Sequence, residues 1–313
     1  MSDLATIGPR SAGRALVLVL ALVATAPALP QSLPGSPPVA GAPIAEPREV
    51  RITAPDRGHG DGDVAMLTRV HLPDGPGPFP VVIYSHGRSP VPLERQQMRN
   101  PIPAGHVRYW QRKGFAVVAP IRPGYGASGG EDRERSGTVF ERDGSCRSQP
   151  DFETPARHAA SATIAVLDWT RRQDWADPER IVLVGTSMGG LTSIATAATR
   201  PPGVVAYVNF SGGLGGNPRL APQRSCGPER MEAAMRSFGA TTAVPGLWLY
   251  AANDQYWGPE APRRWHEAFA RGGSRATFVQ TAPLPDHDGH LLMLRGGRLW
   301  SVHVDAFIEA LGF

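Results

Sequence analysis

The run Ile181-Val182-Leu183-Val184-Gly185-Thr186-Ser187-Met188-Gly189-Gly190 constrains this chain more than any other segment. Its first four residues are β-branched or apolar, as in a strand buried on both faces of a parallel sheet. A Gly-x-Ser-x-Gly turn follows, and the next segment, 191–199, contains no proline or glycine and predicts a helix. A strand, a tight turn and a helix in this order are the context in which the motif presents a reactive serine.

The turn needs its glycines for steric reasons. A serine lifted to the tip of such a turn takes a strained backbone conformation, and its neighbours must lack bulk, as Gly185 and Gly189 do. The helix that begins beyond the serine also directs unpaired N–H groups and a positive dipole end at the reaction centre. We therefore predict that Ser187 is a nucleophile, the alternative being a glycine-rich turn that merely contains a serine.

The N-terminus has the layout of a secretory signal. Arg10 and Arg14 precede the apolar run 15–26, and Ala26-Pro27-Ala28 offers small residues for cleavage. The run is shorter than the roughly 20 residues of a membrane span, so we expect no stable membrane insertion after cleavage, an uncleaved anchor being the alternative. Residues 1–28 are thus predicted to be a signal peptide that exports the protein to the periplasm or the outside. Residues 29–48, rich in proline and alanine, are predicted to be a linker.

Composition narrows the possible partners. Hydrophobic residues make up 41% and charged residues 19% of the chain, as in an ordinary globular enzyme. The net charge is only +4 and the arginines are scattered, which argues against binding to nucleic acid. An even cysteine count in an exported chain favours a disulfide between Cys146 and Cys226, two buried free thiols being the alternative. The oligomeric state is not predicted.

From residue 49 onward, short apolar runs alternate with longer amphipathic ones. This alternation predicts one α/β domain over 49–313, with a mostly parallel, doubly wound sheet flanked by helices. The exception is Gly126–Thr154, which is polar and aperiodic, and which we interpret as a lid or wall over the site, pinned by Cys146. Strands are predicted at 64–72, 80–85, 115–120, 181–185, 204–210, 244–251 and 276–282, and helices at 107–113, 156–172, 191–199, 228–238, 259–271 and 298–310.

A serine hydroxyl needs a base to take its proton and a third group to hold that base. Asp254 lies in the turn after an apolar strand and is the predicted acid, although aspartates in such turns also serve as turn or helix caps. Beyond the next strand, His290 follows a glycine and precedes an apolar segment, whereas His287 lies between two aspartates and is expected to be solvated. We therefore predict His290 as the base and keep His287 as the alternative.

The loop around His290 contains several metal-ligand residue types. They are crowded into Asp286-His287-Asp288-Gly289-His290, without the helical or paired-cysteine spacing that metal sites use. We expect no metal and no cofactor.

Two backbone N–H groups are expected to stabilise the oxyanion of the tetrahedral intermediate. One is that of Met188, directly after the nucleophile; the other comes from the loop after the Tyr84-Ser85 strand end, where we favour Arg88 over Gly87. His86 is expected to orient that loop. Four aromatic residues in loops beside the predicted site are candidates for a substrate pocket, and each is also a candidate for simple packing: Tyr125, Phe210, Tyr256 and Trp257.

Five motifs together resemble the α/β-hydrolase superfamily, over about residues 50–313. They are Ser85-His86-Gly87, Arg122-Pro123-Gly124-Tyr125-Gly126-x-Ser128, the serine turn, Asn253-Asp254 and Gly289-His290. Within that superfamily the chain most resembles secreted dienelactone-hydrolase-like and prolyl-oligopeptidase-like serine hydrolases. The resemblance implies an α/β-hydrolase fold with the nucleophile, acid and base in the order found here. Dienelactone hydrolases proper carry a cysteine nucleophile, so the serine favours ordinary esters.

The sequence thus predicts a serine hydrolase that cleaves small-molecule carboxylic esters through an acyl-enzyme. Peptidases of this resemblance usually carry a separate N-terminal propeller domain, for which 313 residues leave no room. A peptidase or amidase, or a polyester hydrolase, nevertheless remains an alternative use of the same triad. A non-catalytic binding protein with the hydrolase fold is a further alternative.

Overall fold

An eight-stranded sheet organises the fold, which a computed structural model describes for residues 46–58 and 60–313. These residues belong to one compact unit. The predicted signal segment, and the predicted linker up to residue 45, lie outside the described residues. The strands are β1 Arg48–Gly58, β2 Gly60–His71, β3 Phe79–Ser85, β4 Ala116–Pro120, β5 Ala176–Thr186, β6 Val204–Phe210, β7 Gly216–Asn217, β8 Ala221–Ser225, β9 Gly246–Ala251 and β10 Ala276–Thr281.

The strand order in the large sheet is β1-β2-β4-β3-β5-β6-β9-β10. β1 and β2 form an antiparallel hairpin, and β2 also runs antiparallel to β4. From β4 to β10 every neighbouring pair is parallel. The carboxyl ends of β3, β5 and β9, which carry the predicted site residues, therefore meet at one edge of the sheet.

Helices cover both faces of the sheet, and the central strands β3, β4 and β9 are accordingly buried along nearly their whole length. On one face, strand residues such as Ile83 and Leu183 join a core cluster with helices that follow β4, β5, β8 and β9. On the other face, Tyr84 and Val184 pack with the second and last helices of the chain. The helices are α1 Pro92–Gln96, α2 Ala104–Gln111, α3 Glu153–Thr170, α4 Met188–Ala197, α5 Pro228–Gly239, α6 Glu260–Arg271, α7 Leu292–Arg295 and α8 Gly297–Ala310.

The structure confirms the predicted α/β fold class and each predicted strand and helix, with ends that shift by a few residues. It adds β1, which begins at Arg48 inside the predicted linker, and four short elements. These are α1 and α7, and the strands β7 and β8, which form a two-stranded sheet apart from the main one. The four short elements have two to five residues, too few to show a period in sequence. Among the described residues, no helix is long and apolar enough to cross a bilayer.

The polar segment Gly126–Thr154 is mostly irregular, as predicted. It contains a 3₁₀ turn, Gly126–Ser128, and an isolated bridge between Phe140 and Cys146. The predicted disulfide between Cys146 and Cys226 is present, with a Cα–Cα distance of 5.2 Å. It ties this segment to the start of α5.

His106 lies in the aromatic core between α2 and α8. Its ring centroid is 4.7 Å from that of Trp300 and 5.7 Å from that of Phe210. Burial lowers the pKa of His106 from 6.5 to about 4. The unfolded chain therefore binds a proton at this residue at a pH where the folded protein does not.

This difference predicts a pH dependence of stability. As pH falls from 6.5 to about 4, the contribution of a neutral His106 is lost at about 1.4 kcal/mol per pH unit. In His106→Phe, we expect the free energy of unfolding to fall by about that much less per pH unit in urea titrations between pH 7.5 and 4.5. His287→Ala, which removes an exposed ring, serves as the control, and an unchanged slope in His106→Phe contradicts the assignment.

The disulfide should contribute stability because it closes a loop of 80 residues in the unfolded chain. We expect the double variant Cys146→Ala/Cys226→Ala to lose about 2–4 kcal/mol of unfolding free energy. Urea unfolding with and without a phosphine reductant checks this. The reductant should lower the urea midpoint of the wild type and leave that of the variant unchanged. Equal midpoints for wild type and variant in the absence of reductant would contradict the expectation.

Candidate active site

Ser187 connects β5 to α4 in a backbone conformation that other residues avoid. Its φ is 55° and its ψ is −124°, and its peptide N–H donates to the Phe210 carbonyl at 2.9 Å. A Cβ at Gly185 would collide with the Gly189 carbonyl, and a Cβ at Gly189 would collide with the Ser85 carbonyl. Both glycines are thus required for the close crossing of strand and helix that holds the serine in place.

The structure brings Ser187, His290 and Asp254 together in one hydrogen-bonded row. The distance from His290 Nε2 to Ser187 Oγ is 3.0 Å. His290 Nδ1 lies 3.0 Å from Asp254 Oδ2 and 3.2 Å from Oδ1. Asp254 is fully buried, and its Oδ1 also accepts the N–H groups of Tyr256 at 2.8 Å and Trp257 at 3.2 Å. Three donors therefore face a carboxylate that has no contact with solvent.

The loop after β10 places His290, and not His287, beside the serine. Asp288 Oδ1 accepts the His290 N–H at 2.9 Å and caps the 3₁₀ turn Gly289–Leu291. Gly289 packs so closely that a Cβ there would lie 2.5 Å from the Asp254 nitrogen. The His287 side chain is exposed.

Two aromatic rings fix the plane of the His290 imidazole. Tyr256 stacks on it, with ring centroids 4.0 Å apart and an interplanar angle of 29°. Trp257 meets it edge-on at 5.5 Å. The imidazole can therefore exchange a proton between Ser187 and a substrate without turning.

The loop after β3 lies against the serine. A Cβ at Gly87 would be 3.4 Å from Ser187 Cβ. His86 Nε2 accepts the Arg122 N–H at 3.1 Å, so the ring proton is on Nδ1, which donates to the Gly87 carbonyl at 2.7 Å. Because the Gly87–Arg88 peptide is trans, the Arg88 N–H points away from His86. Met188, the other predicted donor, is the first residue of α4, so its N–H has no intrahelical partner.

A buried ion pair supports this loop from behind. Arg122 is 1% exposed, and its Nη1 donates to the His86 carbonyl at 2.7 Å. Its Nε and Nη2 donate to the two carboxylate oxygens of Glu134, the Nη2 bond being 3.0 Å long. The Tyr125 hydroxyl completes the cluster with a 2.7 Å bond to Glu134. Burial is the largest single influence on the pKa of Arg122 and lowers it. The charge and hydrogen bonds of Glu134, with smaller effects of neighbouring groups, outweigh burial, so the pKa is raised.

Two cavities meet at Ser187. The larger, about 680 Å³, also borders His290 and is lined chiefly by apolar side chains, including Ile102, Val107 and Met293. The smaller, about 390 Å³, lies between Leu214, Trp257 and residues 134–140. The segment that was predicted to be a lid or wall is thus a wall of the smaller cavity.

The four predicted pocket aromatics fall into two groups. Tyr256 borders both cavities and Trp257 borders the smaller one. Tyr125 and Phe210 border neither of these two cavities and take the alternative role of packing. Tyr125 is turned inward by its bond to Glu134 and packs on His86 at 4.6 Å. Phe210 ends a central strand and is fully buried against His106 and Trp300.

Sequence reasoning missed the roles of Arg122 and Glu134. Arg122 begins the motif Arg122-Pro123-Gly124-Tyr125-Gly126-x-Ser128 after β4, and this position could have indicated a role beside the site. Glu134 lies in an aperiodic segment, in which no sequence pattern indicates which polar residues form pairs. Among the described residues, no group of three or more histidine, cysteine, aspartate or glutamate side chains could hold a metal ion.

Comparisons with solved structures show shared architecture at low sequence identity. An esterase from Pyrococcus furiosus superposes with a TM-score of 0.54 at 14% identity, over 88% of this chain and 96% of that one. Dipeptidyl peptidase 4 from Porphyromonas gingivalis gives 0.58 at 14% identity, over 85% and 35%. A puromycin-hydrolyzing peptidase from Mycobacterium tuberculosis gives 0.53 at 18% identity, over 79% and 38%. This chain therefore spans little more than a third of the length of the two peptidases.

A search of curated proteins found no match. The family model of X-Pro dipeptidyl-peptidases (S15 family) matches residues 61–218, about half of the chain. The match includes Ser187, the loop after β3 and residues 134–140, whereas Asp254 and His290 lie beyond its end. With the α/β-hydrolase fold and this match together, the chain belongs to the X-Pro dipeptidyl-peptidase (S15) family and is a serine hydrolase of the α/β-hydrolase superfamily.

Proposed function

We propose that the protein hydrolyses carboxylic esters through an acyl-enzyme formed on Ser187. The observation that carries this proposal is the row of hydrogen bonds from Ser187 Oγ through His290 to Asp254, at 3.0 Å for each link, beside two cavities. Nucleophile, base and orienting acid are the parts that acyl transfer requires.

In the first half-reaction, His290 Nε2 takes the proton of Ser187 as its oxygen attacks the ester carbonyl. Asp254 holds the imidazole and stabilises its positive charge. The N–H groups of Met188 and Arg88 bind the oxyanion, each such donor being worth roughly 3–4 kcal/mol in the transition state. The histidine then gives its proton to the departing alcohol.

In the second half-reaction, water replaces the alcohol. His290 takes a proton from the water as it attacks the acyl-enzyme, and returns that proton to Ser187 as the acid leaves. The balance is one ester and one water converted to one acid and one alcohol. The residues named above supply the nucleophile, the base, the orienting acid and the oxyanion donors for both steps.

A peptidase is the second candidate, because the matching family model is that of X-Pro dipeptidyl-peptidases. An enzyme that removes a dipeptide must recognise a free N-terminal ammonium, which calls for an available carboxylate. Among the described residues that line the smaller cavity, Glu134 is the single acid, and it is bonded to Arg122 and Tyr125. Glu46 borders the larger cavity, on the side of His290 where the leaving group departs, so it does not lie where a substrate's N-terminal ammonium would be. This arrangement favours the ester.

We also propose that the protein acts outside the cytoplasm. The disulfide between Cys146 and Cys226 and the signal-like pattern of residues 1–28 support this, because disulfides persist in oxidising compartments.

Substitution of the triad should abolish turnover without loss of the fold. We expect Ser187→Ala and His290→Ala each to lower kcat for p-nitrophenyl butyrate by about 10⁴-fold or more. His287→Ala is the matched control and should retain wild-type rates. If Ser187→Ala retains activity while its circular dichroism is unchanged, the assignment of the nucleophile is wrong.

The bond that is cleaved can be tested with paired substrates. We expect the p-nitrophenyl ester of an acyl group to react far faster than the p-nitroanilide of the same acyl group. Ala-Pro p-nitroanilide and its N-acetylated form test the peptidase alternative, because they differ only in the free N-terminal amine. Because no free carboxylate faces the smaller cavity, both should react equally slowly, and a strong preference for the free amine would establish the peptidase instead.

A further inference from the structure

The larger cavity borders both the triad and two polar side chains on β2, three strands away in the sheet. It borders Ser187 and His290 at one end and Arg69 and His71 on β2 at the other. In the sheet order β2-β4-β3-β5, β2 is three strand spacings from the strand that leads to Ser187. At about 4.8 Å per spacing, the two strands are roughly 14 Å apart.

Arg69 and His71 lie two residues apart on β2 and therefore on the same face of the sheet. Their partners on β4 are Ala119 and Val117, which belong to the core cluster on the face that α2 and α8 cover. The two polar side chains thus border a cavity that Ile102, Val107 and Met293 also line.

These two side chains have unused hydrogen-bonding capacity. His71 is 8% exposed, and neither of its ring nitrogens has a hydrogen-bond partner among the described residues. The same holds for Arg69 Nε, although Arg69 Nη2 pairs with Glu49 at 3.0 Å. Such groups are costly to bury, which points to a ligand that supplies their partners.

The chemistry of the unused groups defines that partner. Burial, with the nearby Arg69 charge, lowers the pKa of His71, so the ring is neutral near pH 7 and offers one N–H donor and one acceptor nitrogen. Arg69 Nε–H offers a second donor. Two neighbouring donors match an oxygen acceptor, such as a carbonyl or a carboxylate. Two acids are also near: Glu49 pairs with Arg69, and Glu46 borders the same cavity.

The position of His290 decides which part of an ester lies in this cavity. The histidine must deliver a proton to the leaving alcohol, which therefore departs on the side of the imidazole. His290 borders the larger cavity and does not border the smaller one. The acyl group is then left for the smaller cavity.

We propose that the larger cavity binds the alcohol part of the ester and that Arg69 and His71 bind an oxygen acceptor at the far end of that alcohol. This inference rests on the proposed function. The preferred substrates are then esters of elongated alcohols with an apolar middle and a terminal carbonyl or carboxylate, rather than esters of long fatty acids with short alcohols.

Three acetate esters test this proposal: octyl acetate, methyl 8-acetoxyoctanoate and 8-acetoxyoctanoate. They share the acyl group and differ in the far end of the alcohol, which is apolar, a neutral acceptor or an anion. In the wild type, we expect kcat/KM for one of the two oxygen-ended esters to exceed that for octyl acetate by about tenfold. If the methyl ester is the better substrate, the acids near Arg69 exclude an anion. If the carboxylate is the better substrate, they do not.

Arg69→Met and His71→Phe should each reduce that preference to about twofold, while the rate with ethyl acetate, too short to reach β2, stays unchanged. Arg171→Met is the matched control, because it removes an arginine paired with Glu179 that borders neither cavity. If both β2 variants keep the wild-type preference, or lower the rates of all esters alike, the proposal is wrong.

Binding measurements separate this proposal from the proposed function. The product 8-hydroxyoctanoate, its methyl ester and octanol can be titrated calorimetrically into wild type and His71→Phe, whether or not the protein turns over esters. Tighter binding of an oxygen-ended alcohol by the wild type, lost in His71→Phe, supports the site. Equal binding by both proteins overturns it, even if acetate esters are hydrolysed at Ser187.

Discussion

The backbone crossing at Gly185 and Gly189 is the constraint on which the rest of the structure depends. With no side chains between them, the end of β5 and the start of α4 approach so closely that Ser187 is held at φ 55°. The Ser85 carbonyl touches Gly189 from the neighbouring strand, so the loop after β3 is set against the same crossing. The nucleophile and the predicted oxyanion donors thus share one steric origin.

Buried polar contacts then fix the details that sterics leave open. Arg122 holds both the carbonyl and the ring of His86, and the ring holds the Gly87 carbonyl. These bonds hold the loop in place, and Glu134 keeps the Arg122 charge from being buried alone. On the opposite side, Asp254 and two aromatic rings fix His290.

Much of this could be predicted from the sequence, because parallel strands bring their carboxyl ends together. Asp254 and His290 were predictable once each was placed after a parallel strand, β9 for the acid and β10 for the base. Phe210 was not, because the side that a residue at a strand end faces depends on the helix packed against it, here α8. Tyr125 and Glu134 were equally hidden, since an aperiodic segment does not show which of its polar groups will pair across space.

The segment from 126 to 154 is fastened at two points, by the Arg122–Glu134 pair near its beginning and by the disulfide at Cys146. Residues 135–140 between them form the wall of the smaller cavity and contribute no strand to the main sheet. In a lineage of related enzymes, such a span can change in length and chemistry while both anchors stay in place. The fold thereby separates the part that can diversify its choice of substrate from the part that must keep its chemistry constant.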